Sequence, residues 1–384
     1  MKAMAGKAMS GSTTKAEPRT VPAADLERLA AAIFTSAGCS TAESERIARY
    51  LVGANLAGHD SHGVVRVPRY VQLLRDGLVV ADQEVDVLVD TPVLAVVDGK
   101  YGFGQTVAPR AVEIGIEKCK QMGLAAVALR NAGHIGRVGD WADMAAQAGL
   151  ISIHFVNAAG SVIVAPFGSI ERRFSTAPYC VGVPIPGRAP LVLDFATSVV
   201  AEGKVLVASQ GGKAIPPDAL IGPDGMPSDD PQLLYGDYVT SGQRDIRQGQ
   251  GALRAFGDHK GSGLAIMCEI LGGALSGTGC TSPDRRIANG MFSIYVDPAR
   301  IDPGGVFPEE VVRYVGYVKQ AKPVPPAIET LVPGEPEQRT RAERLQNGVP
   351  ITEEAWHALI ETAHAVGADV RWIEPASAGE GRHR

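Results

Sequence analysis

A chain of 384 residues, 45% hydrophobic and 21% charged, is long enough to bury more than one core. Its formal net charge of −5 supplies no global positive field, which argues against nucleic acid or an anionic membrane as a partner. No apolar run approaches the ~18 residues of a membrane span, and the scattered cysteines form no C-x-x-C pair, so free thiols in a reducing, cytoplasmic setting are expected.

Residues 1–20 are rich in Lys, Ala, Ser, Thr and Gly, lack the apolar centre of a signal peptide, and read as a disordered leader. Residues 21–92 read as a helical region. Leu26, Leu29 and Ile33 recur at helical spacing over 25–34. Ser40-Thr41-Ala42-Glu43 matches a capping box in which Ser40 caps and Glu43 reaches back, opening a helix through Ile47, Leu51 and Leu56 that ends near Gly58. Val67, Tyr70, Val71 and Leu74 mark a third helix. An α/β region is expected over 93–300, with strands at 93–97, 124–129, 151–156, 177–183, 191–195 and 291–296, and 162–166 as an extension. Helices are expected at 105–122, 140–148, 199–207 and 263–275. The short turn at 184–190 makes its flanking strands antiparallel, so the sheet should be mixed. Residues 210–251, rich in Gly, Pro and Asp, suggest a surface excursion with little regular structure. A C-terminal helical region, 301–375, holds amphipathic segments at 308–319 and 352–366 and is expected to pack back on the first region. Residues 376–384 read as a disordered tail.

Chemistry concentrates in a few turns. Gly58-His59-Asp60-Ser61-His62-Gly63 sits between two helices. His62 suits general acid–base work held by Ser61, since an imidazole titrates near neutrality. Ser61 as a nucleophile, a metal on His59, Asp60 and His62, and a plain capped turn with solvated imidazoles remain open readings. Arg66 follows by one helical turn, and a guanidinium matches a carboxylate in a two-point fork; Arg69 reads equally well as solvated charge. Asn131-Ala132-Gly133-His134-Ile135-Gly136-Arg137-Val138-Gly139 lies between a strand and a helix, the geometry that cradles phosphate, with Arg137 able to add charge. It is not G-x-G-x-x-G, so a standard Rossmann domain is not supported. Leu193-Asp194-Phe195-Ala196-Thr197-Ser198 ends a strand with a carboxylate and hydroxyls, where Asp194 or Thr197 could equally be a helix cap. In Gly257-Asp258-His259-Lys260-Gly261, Lys260 can meet a phosphate or carboxylate, although the P-loop spacing fails.

In this order the motifs resemble the malate/L-lactate dehydrogenase family that lacks a Rossmann fold, also called the type 2 malate or sulfolactate dehydrogenases. The resemblance spans residues 22–367. It is carried by 56–63, by Gly133-His134-Ile135-Gly136, by Ala165-Pro166-Phe167-Gly168, by 193–198, by His259-Lys260-Gly261 and by 269–277. Ala57-Gly58-His59-Asp60-Ser61-His62-Gly63 and the turn Leu331-Val332-Pro333-Gly334-Glu335-Pro336-Glu337 are similar to the family's hydroxycarboxylate dehydrogenase branch. The resemblance implies an α/β fold: a non-Rossmann nucleotide-binding domain with a mixed, mostly antiparallel sheet, plus a helical domain. It implies a homodimer, NAD or NADP as cofactor, and hydride transfer between a small 2-hydroxy acid and its 2-oxo acid. It implies His62 as the acid–base, supported by Ser61 and Asp194, with His134 competing for the role, and Arg66 near the substrate carboxylate. The dinucleotide would be lined by His134, Gly136, Arg137, Val138, Asp194, Phe195, Ala196, Thr197, Ser198, His259, Lys260, Asn289, Gly334, Glu335 and Glu337, with no metal. Reduction of a cyclic imino acid, which the same family hosts, is the alternative. Where the family often has Gly-Thr-Asn-Pro, this chain has Ser175-Thr176-Ala177-Pro178, losing a donor and an acceptor.

Overall fold

In a computed structural model, residues 18–209, 213–237, 246 and 248–373 are described. Most of the expected leader and the whole 376–384 tail fall outside them; Arg19 and Thr20, assigned to the leader, instead lie in a strand. In chain order the chain first forms β1 (Arg19–Val21), α1 (Ala23–Ser36), α2 (Thr41–Leu56), two short 3-10 turns (Asp60–His62 and Val64–Arg66) and α3 (Val67–Arg75). Next come β2 (Asp86–Asp90), β3 (Leu94–Asp98), α4 (Gly104–Met122), β4 (Leu124–Ala132), α5 (Gly139–Gln147), β5 (Ile151–Ala159), β6 (Val164–Ala165), β7 (Tyr179–Val183) and β8 (Leu191–Phe195). There follow α6 (Glu202–Ser209), β9 (Leu220–Ile221), β10 (Pro227–Ser228), α7 (Gln232–Tyr235), β11 (Ala252–Arg254), and α8 (His259–Cys268), which runs on as a π-helix over Glu269–Leu275. The chain continues with β12 (Ala288–Val296), α9 (Pro298–Ile301), α10 (Val306–Lys319), α11 (Glu335–Asn347), β13 (Val349–Ile351) and α12 (Glu353–Val366).

The helical periodicity becomes the first core. Leu26, Leu29 and Ile33 of α1 are fully buried and meet Ile47 and Leu51 of α2, and Trp356 and Leu359 of α12 join the same cluster. Each such side chain stabilises the fold by roughly 1.5–3 kcal/mol through lost apolar surface. β1 pairs antiparallel with β13, tying the two chain ends together. α10 instead lies against the β7–β8 turn, with Val312, Val315 and Lys319 facing Leu191 and Arg188 across a small cavity.

The second core surrounds a seven-stranded sheet in the order β2-β3-β4-β12-β5-β7-β8. β3 and β4 are parallel and every other pair is antiparallel. This is the mixed, mostly antiparallel sheet expected, not a doubly wound one. β12 arrives last and inserts between β4 and β5; a register irregularity between Asn289 and Met291 breaks its pairing with β4.

Residues 210–251 are more than a surface excursion. Among their described residues, β9 and β10 join β11 and β6 in a second, four-stranded sheet. Leu220, Leu234 and Tyr235 are buried with Val205 of α6 and Leu253 of β11 in a core of their own. Gly and Pro marked the turns here, while strands of two residues are too short to show an alternation. The 263–275 helix begins earlier, at His259. The 199–207 helix begins later, at Glu202.

Candidate functional site

The turn after α2 is locked before it does any chemistry. Asn55 Nδ2 donates to Asp60 Oδ1 at 2.7 Å, and its Oδ1 accepts from Val64 N–H at 2.8 Å. Arg344 of α11 donates to both carboxylate oxygens of Asp60, at 2.6 and 3.0 Å, the two-point fork that fixes direction as well as distance. A Cβ on Gly63 would lie 2.2 Å from Asn55 Oδ1, so any other residue there would displace the Asn55 side chain that ties the turn. His59 Nε2 faces Glu337 Oε1 at 3.2 Å, and this contact holds the Glu337 carboxyl below its usual range. Asp60 and His59 are therefore directed outward to α11 and do not converge on His62. Among the described residues no group of three or more His, Cys, Asp or Glu side chains is arranged to hold a metal ion.

The clamped turn presents His62 to His134. Their rings stack with centroids 5.5 Å apart and planes 14° from parallel. Ser61 Oγ lies 3.1 Å from His62 Nδ1. The hydroxyl of Tyr70, on α3, lies 2.5 Å from His134 Nδ1 and accepts from Gln105 Nε2 at 3.2 Å. Burial and the neighbouring His134 and Arg66 push His62 well below the usual imidazole range. Burial, then Arg66, takes His134 down to about 3. One cation thus bears on both imidazoles. Arg66 itself donates from Nε to Ser61 O at 2.6 Å and from Nη2 to Glu202 Oε2 at 3.0 Å, and Glu202 Oε1 accepts from the Tyr235 hydroxyl at 2.5 Å. A Cβ on Gly203 would lie 2.4 Å from Ser61 Cβ, so α6 packs directly on the turn.

Behind His134, Asn289 Oδ1 accepts from Ile135 N–H at 2.9 Å while its Nδ2 donates to Asn157 O at 2.7 Å. Sheet and turn are joined there by the side chain at the β12 irregularity. Gly136 takes a left-handed φ of 71° in that turn, and Val138 is buried in the second core. The glycine-rich turn opens α5, but its first free N–H, on Gly139, donates to Asp194 Oδ2 at 2.7 Å. Arg137 is only 6% exposed and pairs with Asp140 at 2.7 Å. Both the helix start and the cation read as a phosphate cradle are thus engaged by carboxylates of the chain itself, and Asp194 contacts α5 rather than His62.

From Asp194 the chain runs through the remaining candidates. Phe195 rests on Phe256 with ring centroids 5.3 Å apart. Thr197 O accepts from Phe256 N–H, and its hydroxyl donates to Thr176 O. Ser198 bridges Ala255, with its hydroxyl on Val200 O. Ala196 and Phe195 are half-buried at this bend, beside the start of α8. There His259 and Lys260 are exposed, Asp258 takes a strained φ of 55°, and the half-exposed Phe167 ring lies 6.1 Å from His259. Four residues past Ser198, Glu202 meets Arg66. One segment, 194–202, therefore touches the start of α5, the start of α8 and the His62 turn. Gly334 and Glu335 begin α11 beside the β7–β8 turn, with Glu335 paired to Lys319 at 2.5 Å. A surface depression of about 520 Å³, lined by Asp302, Val306, Phe307, Glu310, Val311 and Tyr314, shares no residue with this cluster. Sequence reading missed Tyr70, Gln105, Glu202, Tyr235 and Arg344. Tyr70 was legible only as one position of an apolar stripe, and the others carried no local signal.

The family model for malate/L-lactate dehydrogenases matches residues 21–360. The chain belongs to that family. Hydroxycarboxylate dehydrogenase B of Escherichia coli K12 is 39% identical over 343 residues, which are 88% of this chain and 91% of that protein. An L-lactate dehydrogenase of Cupriavidus necator is 34% identical, over 85% of this chain and 92% of its own. The solved malate dehydrogenase of Pyrococcus horikoshii superposes with a TM-score of 0.80 at 29% identity, covering 92% of this chain and 97% of that one. The chain is thus an oxidoreductase of a family whose relatives act on hydroxy acids, and the cluster around His62 lies within the matched region.

Proposed function

We propose that the protein interconverts a small 2-hydroxy acid and its 2-oxo acid with NAD or NADP, and that His62 carries the proton. The observation that carries this reading is the pair of stacked imidazoles with different partners. Gln105 donates to the Tyr70 oxygen, so the Tyr70 proton goes to an acceptor on His134, and Nδ1 at 2.5 Å is a closer one than the carbonyl oxygen at 3.4 Å. That assigns His134 as a neutral ring with its N–H on Nε2, a fixed donor. His62 instead faces a serine hydroxyl, which accepts as readily as it donates and so accommodates either the neutral or the protonated ring. Two stacked imidazoles 5.5 Å apart resist both becoming imidazolium, and His62 is the one free to take the extra proton.

Arg66 links binding to this chemistry. Its charge lowers both imidazoles, so a substrate carboxylate on that guanidinium opposes the depression and raises His62 toward the working range. Protonated His62 then gives its proton to the developing alkoxide during reduction, and the neutral ring takes it back during oxidation, with His134 Nε2–H polarising the same oxygen. The start of α8 suits a dinucleotide's phosphates: it joins an exposed Lys260 to the positive end of a ten-residue helix. A bound nicotinamide would supply or accept the hydride at substrate C2.

The proposed assembly is a homodimer, in keeping with exposed Ile266, Met267, Ile270 and Leu275 along α8 and its π-helical continuation. Free cysteines, four of them buried, support a reducing, cytoplasmic setting. No helix among the described residues is long and apolar enough to cross a membrane. The test is an initial-rate panel of 2-oxo acids and a cyclic imino acid with NADH and NADPH, followed at the nicotinamide absorbance. Oxidation of cofactor with at least one 2-oxo acid is expected. Turnover of the imino acid alone would replace the reading.

A further inference from the structure

The half-buried ion pair beside the catalytic turn bears on which acids the site accepts. Arg66 and Glu202 have side chains only 20% and 18% exposed, and Glu202 is held from the far side by Tyr235 of α7. Arg66 spends its Nε on Ser61 O and one Nη2 proton on Glu202, which leaves the Nη1 edge for a ligand. The guanidinium thus has room for one carboxylate, and its charge is already matched by Glu202. Two other cations of the neighbourhood are engaged elsewhere. Arg137 is paired with Asp140 and Asp143, and Arg344 forks Asp60.

We infer that Glu202 is a specificity-determining residue that restricts the site to 2-oxo acids carrying one carboxylate and an uncharged tail. The inference rests on the hydroxy-acid reading above. A substrate carboxylate on Arg66 already leaves Glu202 as net negative charge in a poorly solvated place. A second carboxylate on the tail would meet that charge. In such surroundings like charges a few ångströms apart discriminate far more than they do in water. Tyr235 and the close packing of Gly203 on Ser61 keep the Glu202 carboxylate from swinging away.

The experiment compares kcat/KM for pyruvate and for oxaloacetate, which differ by one carboxylate on the methyl carbon, in the wild type, Glu202→Gln, Glu202→Asp and Tyr235→Phe, with NADH and NADPH. The wild type should favour pyruvate. Glu202→Gln should shift the ratio toward oxaloacetate by about tenfold or more, the scale on which like-charge juxtaposition separates ligands. Glu202→Asp, which keeps the charge, should restore most of the wild-type ratio, and a purely structural role would not make the ratio follow charge. Tyr235→Phe, which frees the carboxylate without removing it, should move the ratio less than Glu202→Gln. A wild type that prefers oxaloacetate, or a ratio unmoved by Glu202→Gln while pyruvate still turns over, overturns the assignment and leaves the hydroxy-acid reading standing. If neither acid nor any other 2-oxo acid is reduced, the underlying reading fails and this inference falls with it. Should Glu202→Gln not fold, the ratio in Tyr235→Phe decides: no shift toward oxaloacetate overturns the proposal.

Discussion

Replacing Tyr70 by Phe removes one oxygen and keeps the ring, so the core contacts with Phe34 and Phe103 survive. What is lost is the 2.5 Å bond to His134 Nδ1, a long 3.4 Å contact to His134 O and the 3.2 Å bond from Gln105 Nε2. Gln105 retains a second acceptor, His134 O at 3.3 Å, so the group left without a partner is His134 Nδ1. A buried acceptor left unpaired costs roughly 1–3 kcal/mol, and about 2 kcal/mol is the expected loss here. With a urea dependence of about 3 kcal/mol per molar, this moves the unfolding midpoint down by about 0.7 M. His134 also becomes free to exchange its N–H between the two ring nitrogens, and the fixed donor is diluted. The reductive kcat/KM should fall by about tenfold, with a smaller change in KM than in kcat, as expected for an interaction realised in the transition state. Urea titration and steady-state rates at one pH measure both quantities. If neither the midpoint nor kcat/KM moves, the Tyr70 hydroxyl does not hold His134 and the tautomer argument collapses.

Three further outcomes follow from particular contacts. Gly63→Ala should cost about 2–3 kcal/mol in urea unfolding and abolish most activity, because its Cβ would displace the Asn55 side chain that ties Asp60 and Val64; a variant as stable and active as the parent would show that the turn tolerates rearrangement. His154 is buried between Ser152 and Ser293, and burial takes it down to about 3. A depressed imidazole stabilises the fold above its unfolded value near ~6.5 and loses that contribution as pH falls, about 2 kcal/mol by pH 5. His154→Gln should therefore show a shallower loss of urea midpoint between pH 7 and 5 than the wild type, and an equal slope would refute the assignment. Dialysis against EDTA should leave activity unchanged, since His59 and Asp60 are engaged by Glu337 and Arg344; activity lost to chelation and restored by zinc would revive a metal at the His62 turn.

Much of the scaffold could be read in advance because its signals are local. The Leu26, Leu29, Ile33 stripe, the left-handed Gly123 that ends α4, and the short turn between β7 and β8 each depend on neighbours a few residues away. The capping box was half right. Ser40 Oγ accepts from Glu43 N–H, but the Glu43 carboxylate turns to Thr106 and Asp82 instead of the Ser40 backbone. α11 was missed because it buries no residue and so has no apolar face, and β2 because it is exposed along its whole length. In the site, His62, Ser61 and Arg66 stood together in sequence and could be singled out. Their partners lie far along the chain: Arg344 is 284 residues from Asp60, and Glu202 is 136 from Arg66. Ala177 adds a case of its own. It stands where the family often has Asn and takes a φ of 32°, in the left-handed region that Asn tolerates better than Ala.

The central claim is that His62, rather than His134, moves the proton. The decisive measurement is the pH dependence of reductive and oxidative kcat/KM for the wild type, His62→Ala and His134→Ala on the best substrate of the panel. Protonated His62 serves reduction, so the wild-type reductive rate should fall, and the oxidative rate rise, as pH increases through its depressed value. His62→Ala should lower kcat by roughly 10²–10⁴-fold and flatten both limbs, while His134→Ala slows the reaction but keeps them. Near-normal turnover in His62→Ala, with the pH limbs intact and His134→Ala inactive, would contradict the account and give the proton to His134.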